Sequence, residues 1–382
     1  MKQIAFLSDG RINILDPCGA AGSANTHALD CVIADNYRAR GRELRLKNDW
    51  KQKGTGAMFT GAFRHDMPAL DIRLPITGLS RGIDERLIYA INFETGGGIY
   101  FKNLSPDEPE TPIVANATTQ FFELDVNPSG AIVVSTAENT IERHISLLRT
   151  DDGDFQAITE GECFDSNPKW SLKDENILYY DSAGIGYDSA GQFAGYGPRS
   201  IYRFNIKTGE LDEILSDDKF DYLCPFEDTD GNMYFIRRPY RQSKNKMTVV
   251  DFLTAPFKLL RAIGGWLDFF SRRYTGESLK TSGANPAKAV PKSPEQIFIE
   301  NNLIEAEKNL KQNASAGDKN PGYAPRDWEL VIKPPGAEDR VLHKSVMSYC
   351  IAPNGIIYSN GSYVIWGATA VKVHLATKLT AY

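Results

Sequence analysis

The feature of this sequence that most constrains its fold is a strand-turn-strand phrase that recurs along the chain. In its clearest copy, Pro168-Lys169-Trp170-Ser171 is followed by the polar turn Leu172 to Asn176 and by the apolar run Ile177 to Tyr180. Weaker copies lie at Glu123 to Ser135, Pro225 to Ile236 and Ser348 to Ser359. Recurrence of one all-β unit at intervals of tens of residues predicts a β-propeller.

The spacing of the paired strand signals predicts about six four-stranded blades. The signals fall near residues 4–16, 87–115, 131–159, 177–215, 233–342 and 356–379. Residues 25–80 hold further strand-like runs, which form either a seventh blade or a long decoration. The first hairpin comes too early to be a complete blade. We therefore expect the C-terminal strands, Tyr363 to Trp366 and Val371 to Leu375, to lie beside it and close the ring, which removes free sheet edges.

Charge and cysteine content exclude several classes of protein. The net charge of −6 argues against nucleic acid as a partner. The five cysteines are an odd number without a CxxC pair, which predicts reduced core residues and not a disulfide framework or zinc knuckle. The N-terminus enters a strand directly and lacks the apolar run of a signal peptide. We expect a cytoplasmic protein, or a periplasmic one if a signal peptide has been removed.

The strand pattern stops within the fifth blade and resumes near Asp327. We therefore divide the chain into propeller residues 1–240, a helical insertion at 241–325, and propeller residues 326–382. The insertion has a local net charge of +5 in an acidic chain. Helical spacing of apolar residues predicts a first helix from Thr254 to Tyr274 and a second from Pro294 to Lys311, the latter capped by Ser293 with Gln296. Residues 281–292 and 313–325 have the composition of linkers.

One stretch, Ala157-Ile158-Thr159 followed by Cys163 to Ser171, resembles the repeat of TolB-type propellers. That repeat ends one blade in an aliphatic residue and threonine, and it opens the next with Asp, Pro and a Trp-Ser-Pro-Asp-Gly turn. Here the turn is Trp170-Ser171-Leu172-Lys173-Asp174, without the Pro and Gly, whereas Ala352-Pro353-Asn354-Gly355 is the cleanest copy. The resemblance implies an architecture. It leaves function open, because such propellers serve as periplasmic scaffolds, as gates on peptidases and as lyases.

The sequence contains no convincing catalytic or metal-binding motif. Gly186-Tyr187-Asp188-Ser189-Ala190-Gly191 has the wrong spacing for a nucleophile elbow. Asp228 to Asn232 resembles the start of a calcium loop, but it lies where a blade turn belongs. We predict that no three of the scattered histidines meet at a metal; these are His27, His65, His144, His343 and His374.

Two segments are better candidates for contact with a partner. The Gly/Tyr/Ser-rich loop from Ser182 to Ser200 interrupts a blade and carries Tyr187, Phe193 and Tyr196; the alternative is a flexible surface loop. The first helix of the insertion has an aromatic face and a basic flank, on which we place Leu260, Arg261, Trp266, Phe270, Arg272 and Arg273. That face suits a protein groove or peripheral membrane contact over residues 254–274, unless it packs on the propeller.

The function expected from the sequence is therefore non-catalytic binding or scaffolding. A protein partner would be held by the helical insertion and the rim loops, without cofactor, metal or catalytic residues. The alternative is a propeller enzyme, a lyase or hydrolase that acts on a carbohydrate or other small molecule in the central channel. An enzyme needs converging titratable groups, whereas a scaffold needs an exposed apolar or aromatic patch.

Overall fold

The fold is seen in a computed structural model of the chain. The structure describes residues 3–8, 10–17, 24–36, 39, 76–93, 96–104, 108–139, 141–148, 155–187, 191, 193–240, 296–299, 302–353 and 355–382. Among these residues, none of the helices has the length and hydrophobicity that crossing a membrane would need. The chain divides into two compact units, one comprising Met1–Leu29, Ile76–Ser243 and Ala289–Tyr382, the other Asp30–Pro75 and Lys244–Lys288.

The first unit contains six antiparallel blades, so the predicted all-β propeller of about six blades is confirmed. Blades one to three consist of β27 (Thr377–Ala381), β1 (Ile4–Ser8), β2 (Arg11–Asp16) and β3 (Asn25–Ala28); β4 (Ile76–Arg81), β5 (Leu87–Asn92), β6 (Gly97–Lys102) and β7 (Thr111–Asn116); and β8 (Gln120–Val126), β9 (Ile132–Ala137), β10 (His144–Leu148) and β11 (Phe155–Ala157).

The remaining three blades follow the same strand order, each counted from the innermost strand outwards. They consist of β12 (Cys163–Trp170), β13 (Ile177–Tyr187), β15 (Ser200–Asn205) and β16 (Leu211–Leu215); β17 (Phe220–Glu227), β18 (Met233–Pro239), β21 (Glu329–Lys333) and β22 (Arg340–Lys344); and β23 (Ser348–Ala352), β24 (Gly355–Ser359), β25 (Tyr363–Trp366) and β26 (Thr369–Lys372).

The innermost strands of the blades meet around a central channel. Contacts run from β27 through β4, β8 and β12 to β17, and β23 contacts β27. The hydroxyl of Tyr349 in β23 donates to the carbonyl oxygen of Cys224 in β17 at 2.6 Å, which joins the last neighbouring pair. Apolar faces of adjacent blades pack together, as blades cannot bury both faces alone. Trp170 is 2% exposed and packs with Val133 and Ile145 of blade three, so this residue of the recurring turn is buried between blades three and four.

The ring closes through a strand other than those expected. β25 and β26 complete blade six, since β25 pairs with β24. The strand beside β1 is β27, with Ile4 opposite Ala381 and Phe6 opposite Leu379. Leu375, which we assigned to the closing strand, has a left-handed backbone (φ 46°) and interrupts the extended chain before β27 begins.

The predicted second helix of the insertion is wrong over its first half. Residues Gln296–Ile299 form β19, which pairs with β20 (Asn302–Glu305), and the helix α1 runs from Ala306 to Ser315. Gln296 lies in a strand and not in the first turn of a helix, and Ser293, its expected capping partner, lies outside the described residues. The run Gln296 to Ile299 is rich in β-branched and aromatic residues, which favour a strand. The spacing of its apolar residues is compatible with the period of a helix as well as with that of a strand.

The end of the predicted insertion belongs to the propeller unit and is not a linker. Asn313 is 1% exposed, and its Nδ2 donates to the carbonyl oxygens of Gly322 and Ala324, both at 2.9 Å. Ala324 packs with Trp328 and Met347 in a buried cluster. The predicted insertion at 241–325 is therefore divided between the units: its residues from Ala289 onward are assigned to the first unit and Lys244–Lys288 to the second.

In that second unit, the structure describes residues 30–36 and 39. Residues 32–36 are helical, and the backbone N–H of Asp35 donates to the carbonyl oxygen of Cys31 at 2.9 Å. The residues expected to form the first helix of the insertion lie outside the described residues.

Candidate functional site

Backbone bulges recur in five of the innermost strands of the propeller. The pairing register shifts between Ile76 and Gly78, Phe121 and Leu124, Ser166 and Lys169, Leu223 and Phe226, and opposite the Phe6–Leu7 step in β27. Three residues at these bulges have a left-handed backbone: Asn167 (φ 51°), Cys224 (φ 53°) and Lys378 (φ 47°). Because a bulge redirects a side chain and leaves backbone groups unpaired, it suits residues that line the channel.

Lys378 connects three blades across this channel. Its Nζ lies 3.2 Å from Oε1 of Glu123 in blade three and 3.0 Å from Oδ1 of Asn167 in blade four. Lys378 itself belongs to β27 of blade one, opposite blade four in the ring. The side chains of Lys378 and Glu123 are 21% and 12% exposed, so this ion pair is only partly screened by water.

Asn167 also contacts a buried network of ion pairs between blades four and five. Its Nδ2 donates to Oδ2 of Asp181 at 2.8 Å, and Ser166 Oγ donates to the other oxygen at 2.7 Å. Asp181 forms an ion pair with Arg199, whose backbone N–H donates to Asp221 at 3.0 Å. Nε of Arg238 then donates to Asp221 at 2.9 Å. The buried charges compensate one another, as charges held out of water must.

The segment from Ser182 to Ser200 is largely a β-hairpin and not a loop. β13 continues to Tyr187, and β14 (Phe193–Tyr196) pairs back onto it with Tyr187 opposite Phe193. Tyr187 is 41% exposed. The three aromatic residues predicted to make contacts, Tyr187, Phe193 and Tyr196, therefore share one hairpin. Their role in binding remains a prediction.

Two tyrosine hydroxyls and a cluster of aromatic rings hold the base of the hairpin in place. The hydroxyl of Tyr196 donates to the carbonyl oxygen of Ile141 at 2.8 Å, and the hydroxyl of Tyr240 donates to the backbone carbonyl oxygen of Tyr196 at 2.7 Å. The ring of Tyr196 lies 4.9 Å from both Phe164 and Phe193. Burial raises the pKa of Tyr196 to about 12, so its hydroxyl remains a donor at physiological pH.

The hairpin lies on the face of the ring where the second strand of each blade turns into the third. We call this the upper face; the connections from Ala137 to His144 and from Ser359 to Tyr363 lie on it. The turn from Ser171 to Asn176 lies on the opposite, lower face. The predicted turn at Asp228 to Asn232 is also there, and Asp228 Oδ1 accepts the backbone N–H of Asp230 at 3.0 Å and of Asn232 at 2.8 Å. That turn is confirmed.

The remaining predicted contact residues lie outside the described residues. These are Leu260, Arg261, Trp266, Phe270, Arg272 and Arg273. His65, one of the five scattered histidines, also lies outside the described residues. The other four histidines are described, and the structure brings His144 close to Cys163 and Asp165. Cys31 is buried, and Cys163, Cys224 and Cys350 are partly buried.

Sequence reasoning missed the residues that meet between blades. Lys378, Glu123 and Asn167 are far apart in sequence, and no local spacing connects them. Cys163 and Asp165 could have been noticed as neighbours on one face of a strand, since they are two residues apart. His144 joins them only through the packing of blade three on blade four.

A cavity of about 330 Å³ lies where the end of blade three meets blade four. It is lined by Ile158, Thr159, Glu160, Cys163, Asp165, Tyr180, Ser182, Tyr202, Phe204 and Leu211. Burial raises the pKa of the Asp165 carboxyl. Burial, followed by the nearby charge of Asp165, raises the pKa of the Cys163 thiol to about 12. The thiol is therefore protonated at neutral pH.

Comparison with solved structures finds similar chains at low sequence identity. The chain is similar to a putative TolB from Agrobacterium tumefaciens (16% identity, 64% of this chain and 68% of that chain, TM-score 0.40). It is also similar to TolB from Acinetobacter baumannii (12% identity, 94% of this chain and 74% of that chain, TM-score 0.41). The tricorn protease matches over 95% of this chain but 32% of that chain, with 12% identity and a TM-score of 0.45.

The chain is a six-bladed β-propeller of TolB-like architecture. No protein-family model matches the chain, and a search of curated proteins gives no match. Identities at this level concern the fold alone, and the similar structures include two TolB proteins and a protease.

Proposed function

We propose that this propeller is a non-catalytic binding protein that docks a protein partner on its upper face. The observation that carries the proposal is the β13–β14 hairpin, which presents Tyr187 to solvent from a base held by the hydroxyls of Tyr196 and Tyr240. A rigid, exposed tyrosine offers large contact area at a small entropic cost, and tyrosine is enriched at the energetic centres of interfaces.

The arrangement of charges in the channel supports binding over catalysis. Lys378 bonds to both Glu123 and Asn167, and Asp181 and Asp221 are compensated by Arg199 and Arg238. These described groups hold the blades together across the ring. An enzyme with its site in the channel would instead direct such groups at an open space where a substrate could bind.

The basic segment predicted to contact a partner is the second part of the proposal. Residues 254–274 carry the aromatic and basic residues expected from the sequence, including Trp266, Arg272 and Arg273. We expect the partner to present an apolar surface with acidic groups at its edge, because such a surface complements both the aromatic residues and the net charge of +5 over residues 241–325.

Site-specific photo-crosslinking tests the docking face. A photoreactive phenylalanine analogue at position 187 should capture a specific protein in cells of the native host. Leu172 provides the matched control, because it is a 54% exposed apolar residue on the lower face. Capture of one protein from position 187 and not from 172, followed by binding of that purified protein to the wild-type propeller, would support the proposal.

The affinity of that purified protein for variants then decides the role of Tyr187. Tyr187→Ala should weaken binding by about tenfold or more, whereas Leu172→Ala should leave it unchanged. Equal capture from both positions, or an affinity unaffected by Tyr187→Ala, would contradict a docking site on the upper face. A purified propeller that turns over a small molecule, with loss of turnover in Glu123→Gln, would favour the enzyme alternative.

A further inference from the structure

A parallel bridge between blades three and four brings three potential metal ligands together. Arg143, just before β10, pairs with Phe164 in β12. Its backbone N–H donates to the carbonyl oxygen of Cys163 and its carbonyl accepts from the N–H of Asp165, both at 3.1 Å. Successive side chains of an extended chain point to opposite faces. The Arg143 guanidinium lies over the Phe164 ring at 4.4 Å, while His144, Cys163 and Asp165 share the other face.

The distances between the ligand atoms match those around a tetrahedral ion. Nδ1 of His144 lies 3.7 Å from Sγ of Cys163, which lies 3.4 Å from Oδ2 of Asp165. All three atoms are within 4.8 Å of one another. With Zn–S about 2.3 Å and Zn–N or Zn–O about 2.0 Å, tetrahedral geometry separates sulfur from nitrogen or oxygen by about 3.6 Å.

We infer that His144, Cys163 and Asp165 bind one divalent transition-metal ion, and that Zn²⁺ is the ion that this ligand set fits best. One nitrogen, one sulfur and one oxygen suit zinc or its cobalt substitute, whereas the thiolate disfavours magnesium and calcium. On binding, the S–H bond of Cys163 breaks, its proton passes to solvent and a metal–sulfur bond forms. The inference concerns a site separate from the proposed docking hairpin.

Neighbouring groups fix the orientation of the Asp165 carboxylate, and its buried charge favours a bound cation. The hydroxyl of Thr159 donates to Oδ2 of Asp165 at 2.6 Å, and that hydroxyl accepts the N–H of Ile145 at 2.8 Å, which fixes the carboxylate. Asp165 is 1% exposed, and among the described residues no lysine or arginine forms an ion pair with it. A cation would offset the cost of burying this carboxylate.

The adjacent cavity leaves room for a fourth ligand. Cys163 and Asp165 both line the 330 Å³ space, together with Thr159, Tyr180 and Ser182. Three protein ligands beside an open position are typical of zinc sites that hold water or a small molecule, whereas structural zinc sites use four protein ligands. The site therefore has the form of an accessible centre and not of a closed structural one.

Metal titration of the full chain, purified without a polyhistidine tag and stripped with a chelator, tests the inference. We expect one equivalent of Zn²⁺ per chain with micromolar or tighter affinity. Co²⁺ in its place should produce the cobalt–thiolate charge-transfer band and the intense visible bands of tetrahedral coordination. Cys163→Ser should abolish the charge-transfer band, and His144→Gln should weaken Zn²⁺ binding at least tenfold.

Matched variants keep the test decisive if a substitution disturbs folding. Cys350→Ser removes another partly buried thiol and His374→Gln an exposed histidine, and both should retain one equivalent of zinc. Circular dichroism of each metal-free variant confirms that it is folded before titration. Absence of stoichiometric binding by the wild-type chain would overturn the inference, as would binding that both Cys163→Ser and His144→Gln leave intact.

Discussion

Nζ of Lys378 lies 3.0 Å from Oδ1 of Asn167, although the two residues are 211 positions apart and belong to opposite blades. Both have a left-handed backbone at bulges of their innermost strands. Lys378 also forms the ion pair with Glu123. The strand that closes the ring is thus joined across the channel as well as to β1, so the chain terminus is tied to blades three and four.

Replacing this lysine should weaken the closed ring. Lys378→Met keeps the length of the side chain but removes the donor to Asn167 and leaves Glu123 with the Arg143 ion pair at 3.4 Å, which should lower the free energy of unfolding by about 1–2 kcal/mol. Urea denaturation measures the change. Lys344→Met is the control, because Lys344 is 58% exposed and its contact with Glu329 is 3.5 Å, so we expect a change below about 0.5 kcal/mol. Equal effects of the two variants would contradict a role for the cross-channel contact.

The repeat position of Trp170 predicts a large cavity effect. Trp170→Ala should lower the free energy of unfolding by about 3–5 kcal/mol, because the indole is buried among residues of blades three and four. Leu172 is two residues away and its side chain is exposed, so Leu172→Ala should change the free energy of unfolding by less than about 0.5 kcal/mol. A Trp170→Ala protein with an unchanged unfolding midpoint would show that the interface between these blades contributes little.

The regular part of each blade could be predicted because its signals are local. Alternation in Ile201 to Ile206 and the turn at Ala352 to Gly355 are readable without knowledge of distant residues. β27 could not be assigned by this route, because Leu379 finds its place only once Ile4 and Phe6 are beside it. The hairpin at Tyr187 was also missed, since a Gly/Tyr/Ser-rich stretch has weak strand propensity.

The residues of the candidate sites depend on ring closure and could not be predicted from spacing. Lys378 meets Asn167 only when the first and fourth blades face each other. His144 meets Cys163 only through the bridge at Arg143. The predicted second helix failed for a different reason: apolar residues at Ile299, Leu303 and Ala306 satisfy helical spacing, but the pairing of Ile299 with Asn302 makes a hairpin there.

His343 should make the stability of the protein fall in mild acid. Its ring stacks on Tyr358 with centroids 4.4 Å apart, and burial lowers the pKa of the imidazole. The unfolded chain therefore binds a proton more readily than the folded one, so stability is lost as the pH falls below the unperturbed histidine pKa of about 6.5. His343→Phe keeps an aromatic ring and should reduce the loss between pH 7.5 and 5.5 in urea denaturation. His27→Phe, at an exposed position in β3, should not; an unchanged pH dependence in His343→Phe would contradict this assignment.

Asn313 tests whether the segment after α1 belongs to the propeller core. Asn313→Ala removes two hydrogen bonds and leaves the carbonyl oxygens of Gly322 and Ala324 without this donor, which should cost about 2 kcal/mol of unfolding free energy. Gln312→Ala, on the exposed side of the same helix, should cost less than about 0.5 kcal/mol. If both variants unfold at the wild-type midpoint, the segment contributes nothing to the core and the longer insertion boundary is right.

Two deletions should separate folding from partner binding. Removing residues 244–288 and joining the ends with a flexible Gly/Ser linker should leave a folded propeller, because these residues belong to the second unit. Removing 241–325 should unfold or strongly destabilise it, because Ile304 and Ala324 pack against Trp328 and Met347. Thermal melting distinguishes the two deletions.

The shorter deletion should also lose binding of the partner captured at position 187. The double variant Leu260→Glu with Trp266→Glu should lose the same binding at an unchanged melting temperature. A lower melting temperature of the double variant would show that the apolar face of residues 254–274 is packed in a protein core. A normal melting temperature with retained binding would show that residues 254–274 are not part of the docking surface.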